Sequence, residues 1–323
     1  NLTHGDTLNW HHSNLRFWLN RGADGFRFDA VANLVENGPG AWENQPQNHT
    51  IMAGVQQVLA DYDQRFMVCE APPAPADRAF AFGFQYNMVR AASGNDTAAV
   101  SSIANYWLGA PTGLSGFASN HDSFAGDRLY NQLGGDQSRM QLAAATYLLQ
   151  SRSPFIYYGE EIGMAQSSVL QGDPKLRTPM SWTSDQQGAG FSTATPFRAL
   201  AANVGVANVA VEDANPASIL NFYRGMIALR NARPSLERGA YASAHANGNV
   251  MSFQRLMGSA PTDEKTLVVL NYGSTSASVS ISDLGSATTL RRLWPSGAAS
   301  IAVNAGTAPV SVSATSVSVF SIE

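Results

Sequence analysis

The chain has 323 residues, 14% of them charged and 44% hydrophobic, with a formal net charge of −4. That is enough chain for one large domain and a smaller one, and too little positive charge for the broad basic field that a phosphate backbone requires. Cys69 is the only cysteine, so no internal disulfide or thiolate zinc cluster can form, and no apolar run reaches the roughly 18 residues of a membrane helix. Neither nucleic acid nor a membrane is expected as a partner.

Residues 1–238 alternate short apolar runs with longer helical patterns, which is how parallel βα units read. In chain order the pattern predicts a helix over 8–20, a strand over 25–30, a helix over 49–62 and a strand over 66–70. It continues with a strand over 82–87, a helix over 97–108, a strand over 114–119, a helix over 137–150 and a strand over 154–158. Two stretches, 172–198 and 201–212, read as long loops of the kind that build a substrate cleft at the strand ends of a barrel. The last helix is expected to start at Asn215 as N-cap with Pro216 in its first turn. Ile219, Leu220, Tyr223, Met226, Ile227 and Arg230 repeat at helical spacing before Gly239. From Ala240 the sequence alternates apolar and small polar residues between Gly, Asn and Ser clusters, the pattern of a small antiparallel β-domain. The expected division is therefore 1–238 and 239–323.

Three carboxylates fall where an apolar run gives way to a polar loop: Asp29 in Gly25-Phe26-Arg27-Phe28-Asp29-Ala30, Glu70 after Phe66 to Cys69, and Asp122 in Asn120-His121-Asp122. Residues two apart on a strand share a face, so Arg27 and Asp29 point one way while Phe26 and Phe28 pack on the other. The neighbouring guanidinium favours an ionised Asp29, as a nucleophile must be, although a purely structural Arg–Asp pair has the same signature. Glu70 closes an apolar run and is followed by Ala71-Pro72-Pro73, so its strand must stop there. Apolar surroundings favour the proton-carrying form that a leaving glycosidic oxygen needs, and the rival reading is a solvated strand-end glutamate. Cys69 should face the core. Asn120, His121 and Asp122 offer donors and a charge to sugar hydroxyls; a metal site is the rival there, but one His–Asp pair is a weak ligand set. His4, His11, His12, His49 and His245 read as packing or surface residues. Glu70 lies 41 positions after Asp29, room for one βα unit, and Asp122 lies 52 after Glu70, room for two. Successive parallel strands of a barrel end on one face, so the three groups can converge.

These segments resemble the α-amylase family of retaining glycoside hydrolases, glycoside hydrolase family 13. The resemblance implies a (β/α)8 TIM barrel followed by an antiparallel β-sandwich domain, with barrel strands about four to eight carried by this chain. It implies Asp29 as nucleophile, Glu70 as acid/base and Asp122 as transition-state stabiliser, with Arg27 and His121 contacting the sugar at the cleavage point. The stretches Glu43-Asn44-Gln45-Pro46-Gln47-Asn48-His49, 155–164 and Arg177-Thr178-Pro179-Met180-Ser181-Trp182 are similar to segments of α-amylases, α-glucosidases and trehalose synthases. Ala30 stands where relatives acting on α-1,6 bonds often carry valine, which implies α-1,4 cleavage. Val31, Ala32, Asn33 and Leu34 replace the substrate-holding Lys-His pair of some amylases. Arg128 is a candidate either for sugar hydroxyls or for a structural ion pair.

The implied activity is hydrolysis of α-1,4-glucosidic bonds of starch-type glucans or malto-oligosaccharides by double displacement, with the two carboxyls about 5–5.5 Å apart. An exo-acting α-glucosidase or a glucosyl-transferring enzyme is the near rival, and a non-catalytic carbohydrate-binding or transporter-associated relative the distant one. No cofactor is implied for the chemistry, and a structural calcium is left open because the family's usual ligand region finds no match here. The family's first signature, an Asp with an Asn-His pair, is also without a match. The expectation is that this chain pairs with a missing N-terminal part of the same barrel. Starch as a substrate implies an extracellular or periplasmic site of action.

Overall fold

The computed structural model describes residues 1–71, 78–94, 96–260, 262–297 and 299–323. Pro72 and Pro73, expected to terminate the strand before Glu70, lie outside the described residues. Two compact units are present: residues 1–82 with 111–115, and residues 83–110 with 116–323.

The first unit contains helix α1 (Gly5–Leu19), strand β1 (Gly25–Phe28), helix α2 (Pro46–Ala60) and strand β2 (Phe66–Cys69). Pro46 sits in the first turn of α2, where its missing N–H costs nothing. Leu15 and Leu19 of α1 and Met52, Val55, Val58 and Leu59 of α2 share one core with Met67 and Cys69 of β2, with Phe26 and Phe28 packed against it. Cys69 faces that core, as expected, and burial pushes its thiol up to about 11. β1 and β2 pair in parallel with Gly25 opposite Phe66 and Phe28 opposite Cys69. Gly25 is required there: a Cβ would lie 1.8 Å from the Phe66 carbonyl oxygen.

Parallel pairing continues beyond β2 through single bridges. Cys69 donates to the Arg78 carbonyl at 2.7 Å and accepts from Phe80 N–H at 3.1 Å, while Ala81 donates to Ser115 at 2.9 Å and Ser115 to Ala79 at 2.8 Å. The strand expected over 82–87 is thus one step out of place. Residues 79–81 make the sheet contacts, and Phe82–Ser93 is helix α3. The run Phe80-Ala81-Phe82-Gly83-Phe84 is apolar under either period; Phe84, Gln85, Met88, Val89, Ala91 and Ala92, all buried, carry the helical one.

The second unit holds most of α3 and helices α4 (Thr97–Gly109), α5 (Leu129–Gln132), α6 (Gln137–Gln150), α7 (Val209–Ala214), α8 (Ile219–Asn231) and α9 (Pro234–Arg238). α4 and α6 start on aspartates, Asp96 accepting from Ala99 N–H and Asp136 from Arg139 N–H. α8 starts later than expected: Ser218 is its N-cap, accepting from Asn221 N–H at 3.1 Å, while Asn215 closes a turn with Ala217 N–H at 3.0 Å. The stretch 201–212, expected as loop, includes the first turn of α7. The segments 114–119 and 154–158, expected as strands, form no ladder among the described residues. Ser115 pairs as above, and Phe155 N–H donates to the Gly116 carbonyl at 2.9 Å.

α6 is buried on every side from Leu142 to Gln150. Its C-terminal carbonyls are satisfied from afar: Arg230 of α8 donates to Leu148 at 2.7 Å, and Arg255 donates to Leu149 at 3.1 Å and to Gln150 at 2.5 Å. From Ala240 the chain is antiparallel, with strands β3 (Ala240–Asn247), β4 (Val250–Leu256), β5 (Lys265–Asn271), β6 (Ala277–Ile281), β7 (Thr289–Trp294), β8 (Ile301–Ala302), β9 (Ala308–Val312) and β10 (Ser316–Ile322). The order is β3-β4-β5-β10-β7-β8 in one sheet and β6-β9 in the other. Their facing side chains, among them Leu267, Val269, Leu290 and Phe320 against Ile281, Val310 and Val312, form one core.

A carboxyl is also buried in this unit. Glu160 opens a short 3-10 turn, Glu160–Ile162, and is 5% exposed. Tyr147 of α6 donates to its Oε1 at 2.9 Å, Tyr223 of α8 to the same oxygen at 2.7 Å, and Ser119 Oγ to Oε2 at 2.7 Å. Burial pushes the carboxyl up to about 7, against the pull of the three hydroxyls.

Gly25→Ala, by forcing β1 away from β2, should destabilise the first unit by about 3 kcal/mol or more, read by limited proteolysis and thermal unfolding; a wild-type midpoint would refute the close contact. Because Glu160 holds its proton more tightly folded than unfolded, its contribution is full below its ordinary 4.5 and is lost as pH rises through about 7. The unfolding midpoint should fall over that window by the equivalent of roughly 3 kcal/mol, and Glu160→Gln should flatten the decline; an unchanged slope in the variant would assign it to other groups.

Candidate active site

In the first unit the register of β1 and β2 decides the site. With Phe28 opposite Cys69, the next residues, Asp29 and Glu70, leave the two strands at the same level. Glu70 N–H donates to the Phe28 carbonyl at 2.9 Å, so pairing persists to the residue that carries the acid. Arg27 gives one guanidinium nitrogen to Asp29 and places another 3.5 Å from Glu70 Oε1. A single cation therefore spans both carboxylates. Asp29 is 74% exposed, free to meet a ligand, while Glu70 is 17% exposed.

The turn after Asp29 is strained and anchored. Ala30 has φ 44° and ψ 39°, a left-handed conformation that costs a non-glycine residue on the order of 1–3 kcal/mol. From that position its N–H donates to Glu70 Oε2 at 2.9 Å. The following residues are tied to the start of α2: Asn48 Nδ2 donates to the Ala32 carbonyl at 2.6 Å, and Asn44 N–H donates to the same oxygen at 2.7 Å. The stretch 43–49 thus braces the loop that follows Asp29, a role that sequence similarity alone had not supplied.

In the second unit Asp122 is held by two cations or potential cations. His121 Nε2 lies 3.2 Å from Asp122 Oδ2, and Arg177 donates to Oδ1 at 2.7 Å. Arg177 also donates from Nε to the His121 carbonyl at 2.8 Å and contacts Asp173 Oδ2 at 3.0 Å. Asp173 accepts from Ser123 N–H and Oγ at 2.8 and 2.7 Å, and these hydrogen bonds hold its carboxyl below the usual range. Asn120 Oδ1 accepts from Asp122 N–H at 2.8 Å and shapes the loop rather than facing a ligand with that oxygen.

Arg177 and Asp173 were not singled out as site residues from sequence; a strand-end carboxylate pattern has no place for a loop arginine. The backbone on both sides of Arg177 is fixed from below. The Leu176 carbonyl accepts from Arg128 at 2.6 Å and from Tyr157 OH at 3.0 Å, and the Thr178 carbonyl accepts from Tyr158 OH at 2.5 Å. Arg128 is 1% exposed, donates to the Tyr158 carbonyl at 2.8 Å and stacks on the rings of Tyr157 and Tyr158. Its burial leaves no surface to offer a sugar, and among the described residues it forms no ion pair with an acidic side chain, so its partners are carbonyls and rings rather than either of those expected. Among the described residues no group of three or more His, Cys, Asp or Glu side chains is arranged to hold a metal ion.

Residues 6–239 match the family model of the α-amylase catalytic domain. The chain is 29% identical over 314 residues to the trehalose synthase/amylase TreS of Mycobacterium tuberculosis, covering 80% of this chain and 51% of that protein. It is 28% identical over 292 residues to the α-amylase SusG of Bacteroides thetaiotaomicron, covering 82% of this chain and 40% of that one. Over 100% of its length it superposes on the α-amylase of H. orenii with a TM-score of 0.78 at 22% identity, covering 66% of that chain. The chain spans about half the length of the mycobacterial and Pimelobacter trehalose synthases it matches, 51% in that of M. tuberculosis. The likeness to solved structures carries the fold, a (β/α)8 barrel with a C-terminal antiparallel β-domain. With the catalytic-domain match over residues 6–239, it follows that this chain belongs to the α-amylase family, glycoside hydrolase family 13.

Proposed function

We propose that this chain carries the reacting carboxylates of a retaining enzyme of α-glucosidic bonds, with Asp29 as nucleophile and Glu70 as acid/base. The observation that carries the reading is the Arg27 guanidinium reaching both carboxylates where two parallel strands end together. Asp29 attacks the anomeric carbon while Glu70 gives a proton to the departing oxygen, leaving a glucosyl ester on Asp29. Glu70 then takes a proton from the incoming hydroxyl as it attacks the same carbon and releases Asp29. Asp122 is assigned to stabilising the oxocarbenium-like charge, with Arg27 and His121 as contacts to the sugar. Barrel strands four to eight, the division into 1–238 and 239–323 and an extracellular or periplasmic site of action belong to the same reading.

The incoming hydroxyl distinguishes two outcomes. Water gives hydrolysis in starch-type glucans, and Ala30 after the nucleophile favours the α-1,4 linkage as the bond cleaved with either acceptor. A sugar hydroxyl gives glucosyl transfer, and the names of relatives such as the trehalose synthase/amylase of M. tuberculosis and the trehalose synthase of Pimelobacter support it.

Asp29→Asn should lower turnover by on the order of 10⁴-fold or more, with an unfolding midpoint within about 2 °C of wild type because the side chain is largely exposed. Full residual activity would remove Asp29 from the chemistry. Incubated separately with soluble starch and with maltose, the enzyme should release products whose new anomeric centre keeps the α configuration, seen by NMR at early times. Glucose leaves maltose in the first step of either route, so the balance decides: two glucose for each maltose lost marks hydrolysis, and a new disaccharide or a longer oligosaccharide from maltose marks transfer. An initially β product would exclude the covalent intermediate.

A further inference from the structure

Ser119 stands three residues before Asp122, at the point where Gly116-Phe117-Ala118 gives way to the Asn120-His121-Asp122 loop. Its hydroxyl, in a residue only 3% exposed, donates to Glu160 Oε2 at 2.7 Å. Glu160 cannot swing away, since Tyr147 and Tyr223 both donate to its other oxygen at 2.9 and 2.7 Å. The two tyrosines come from α6 and α8, so the carboxylate is fixed by two helices and passes that restraint to the base of the Asp122 loop. The remaining charged groups that act on this carboxylate are its neighbour Glu161 and the buried Arg128. Arg128 in turn holds the carbonyl of Leu176, the residue before Arg177. Asp122 is therefore tethered through Ser119, three residues before it, to the Glu160 cluster, and Arg177 through the Leu176 carbonyl, one residue before it, to the buried Arg128.

We infer that Glu160 is a positioning residue for Asp122, acting through Ser119 to fix the loop that presents the carboxylate to substrate. The inference rests on the catalytic assignment of Asp122. Sequence gave Glu160 no role beyond a family-like segment, and its burial rules out direct contact with a sugar. A purely structural role would make it one of several buried hydrogen-bonded groups, such as Tyr272, whose hydroxyl lies 2.6 Å from Thr146 Oγ1 elsewhere in the unit.

The test compares Ser119→Ala, Glu160→Gln, their double variant, Tyr272→Phe and Asp122→Asn, with maltose as substrate and thermal unfolding measured alongside. Ser119→Ala, which removes one hydroxyl and leaves no charge unpaired, should lower kcat about tenfold with KM within about twofold. Glu160→Gln should lower kcat at least as far, and the double variant should be no slower than Glu160→Gln alone, because both changes cut one tether. Tyr272→Phe should lower the unfolding midpoint and leave kcat within about twofold. The inference is overturned if Ser119→Ala keeps wild-type kcat, an outcome that stands even if Glu160→Gln fails to fold. It is also overturned if the two losses in kcat simply multiply. Asp122→Asn separates the two layers: loss of its turnover beside a normal Ser119→Ala enzyme sinks only the tether, whereas full turnover in Asp122→Asn sinks the catalytic assignment beneath it.

Discussion

The parallel register of two four-residue strands is the constraint from which the carboxylate pair of the first unit follows. Pairing Phe28 with Cys69 leaves Asp29 and Glu70 as the next residue on each chain, and a slip of one position would turn one of them into the core. Gly25 secures that register at the other end, because its missing side chain is what lets the Phe66 carbonyl approach. Arg27, Asp29 and Glu70 meet because the strands are short, parallel and level. The left-handed turn at Ala30 then folds the chain back so that its N–H reaches the glutamate.

The Asp122 loop of the second unit is assembled on a different plan. Asp122 lies in a loop, where no ladder fixes direction, and the structure replaces the ladder with side-chain bonds to main-chain carbonyls. Arg177 bonds the His121 carbonyl as well as the Asp122 carboxylate, so it orients the loop and neutralises it in one contact. The buried Arg128 and the Tyr157 and Tyr158 hydroxyls hold the carbonyls on each side of Arg177. Hydrogen bonds from buried, rigid donors hold a loop far better than exposed ion pairs do, whose two flexible side chains recover little net energy.

The elements legible in the sequence were those with a long, one-sided signal. The helix over 137–150 agrees with its prediction to the residue, because Asp136 caps it and its apolar residues persist for four turns. The three carboxylates stood out because each ends an apolar run. Phe82 to Asn87 misled because a five-residue apolar run satisfies both periods, and the true sheet contacts at 79–81 are too few to show a pattern. Asn215 looked like a cap and forms a turn instead, since Ser218 sits closer to the first buried residue, Ile219. Arg177, Asp173 and the Glu160 cluster were not legible as a site. Their partners lie 13 to 63 positions away in the case of Glu160, and 55 positions from Arg177 to Asp122. Adjacent acids in an aromatic run, Glu160-Glu161 after Phe155 to Tyr158, were the one hint that a carboxyl must be buried there.

The arginines of α8 and β4 that bond the last carbonyls of α6 bear on the order in which the chain can reach its native state. Gln150 leaves the ribosome well before Arg255, which is 105 positions further along and supplies the bond to its carbonyl. Until β4 has been synthesised and docked, the Gln150 carbonyl at the end of this buried helix lacks its Arg255 donor and must be met by water instead. The C-terminal end of α6 is thus closed by a strand of the antiparallel domain, which makes loss of β4 more damaging to the helix than their separation in the sequence suggests.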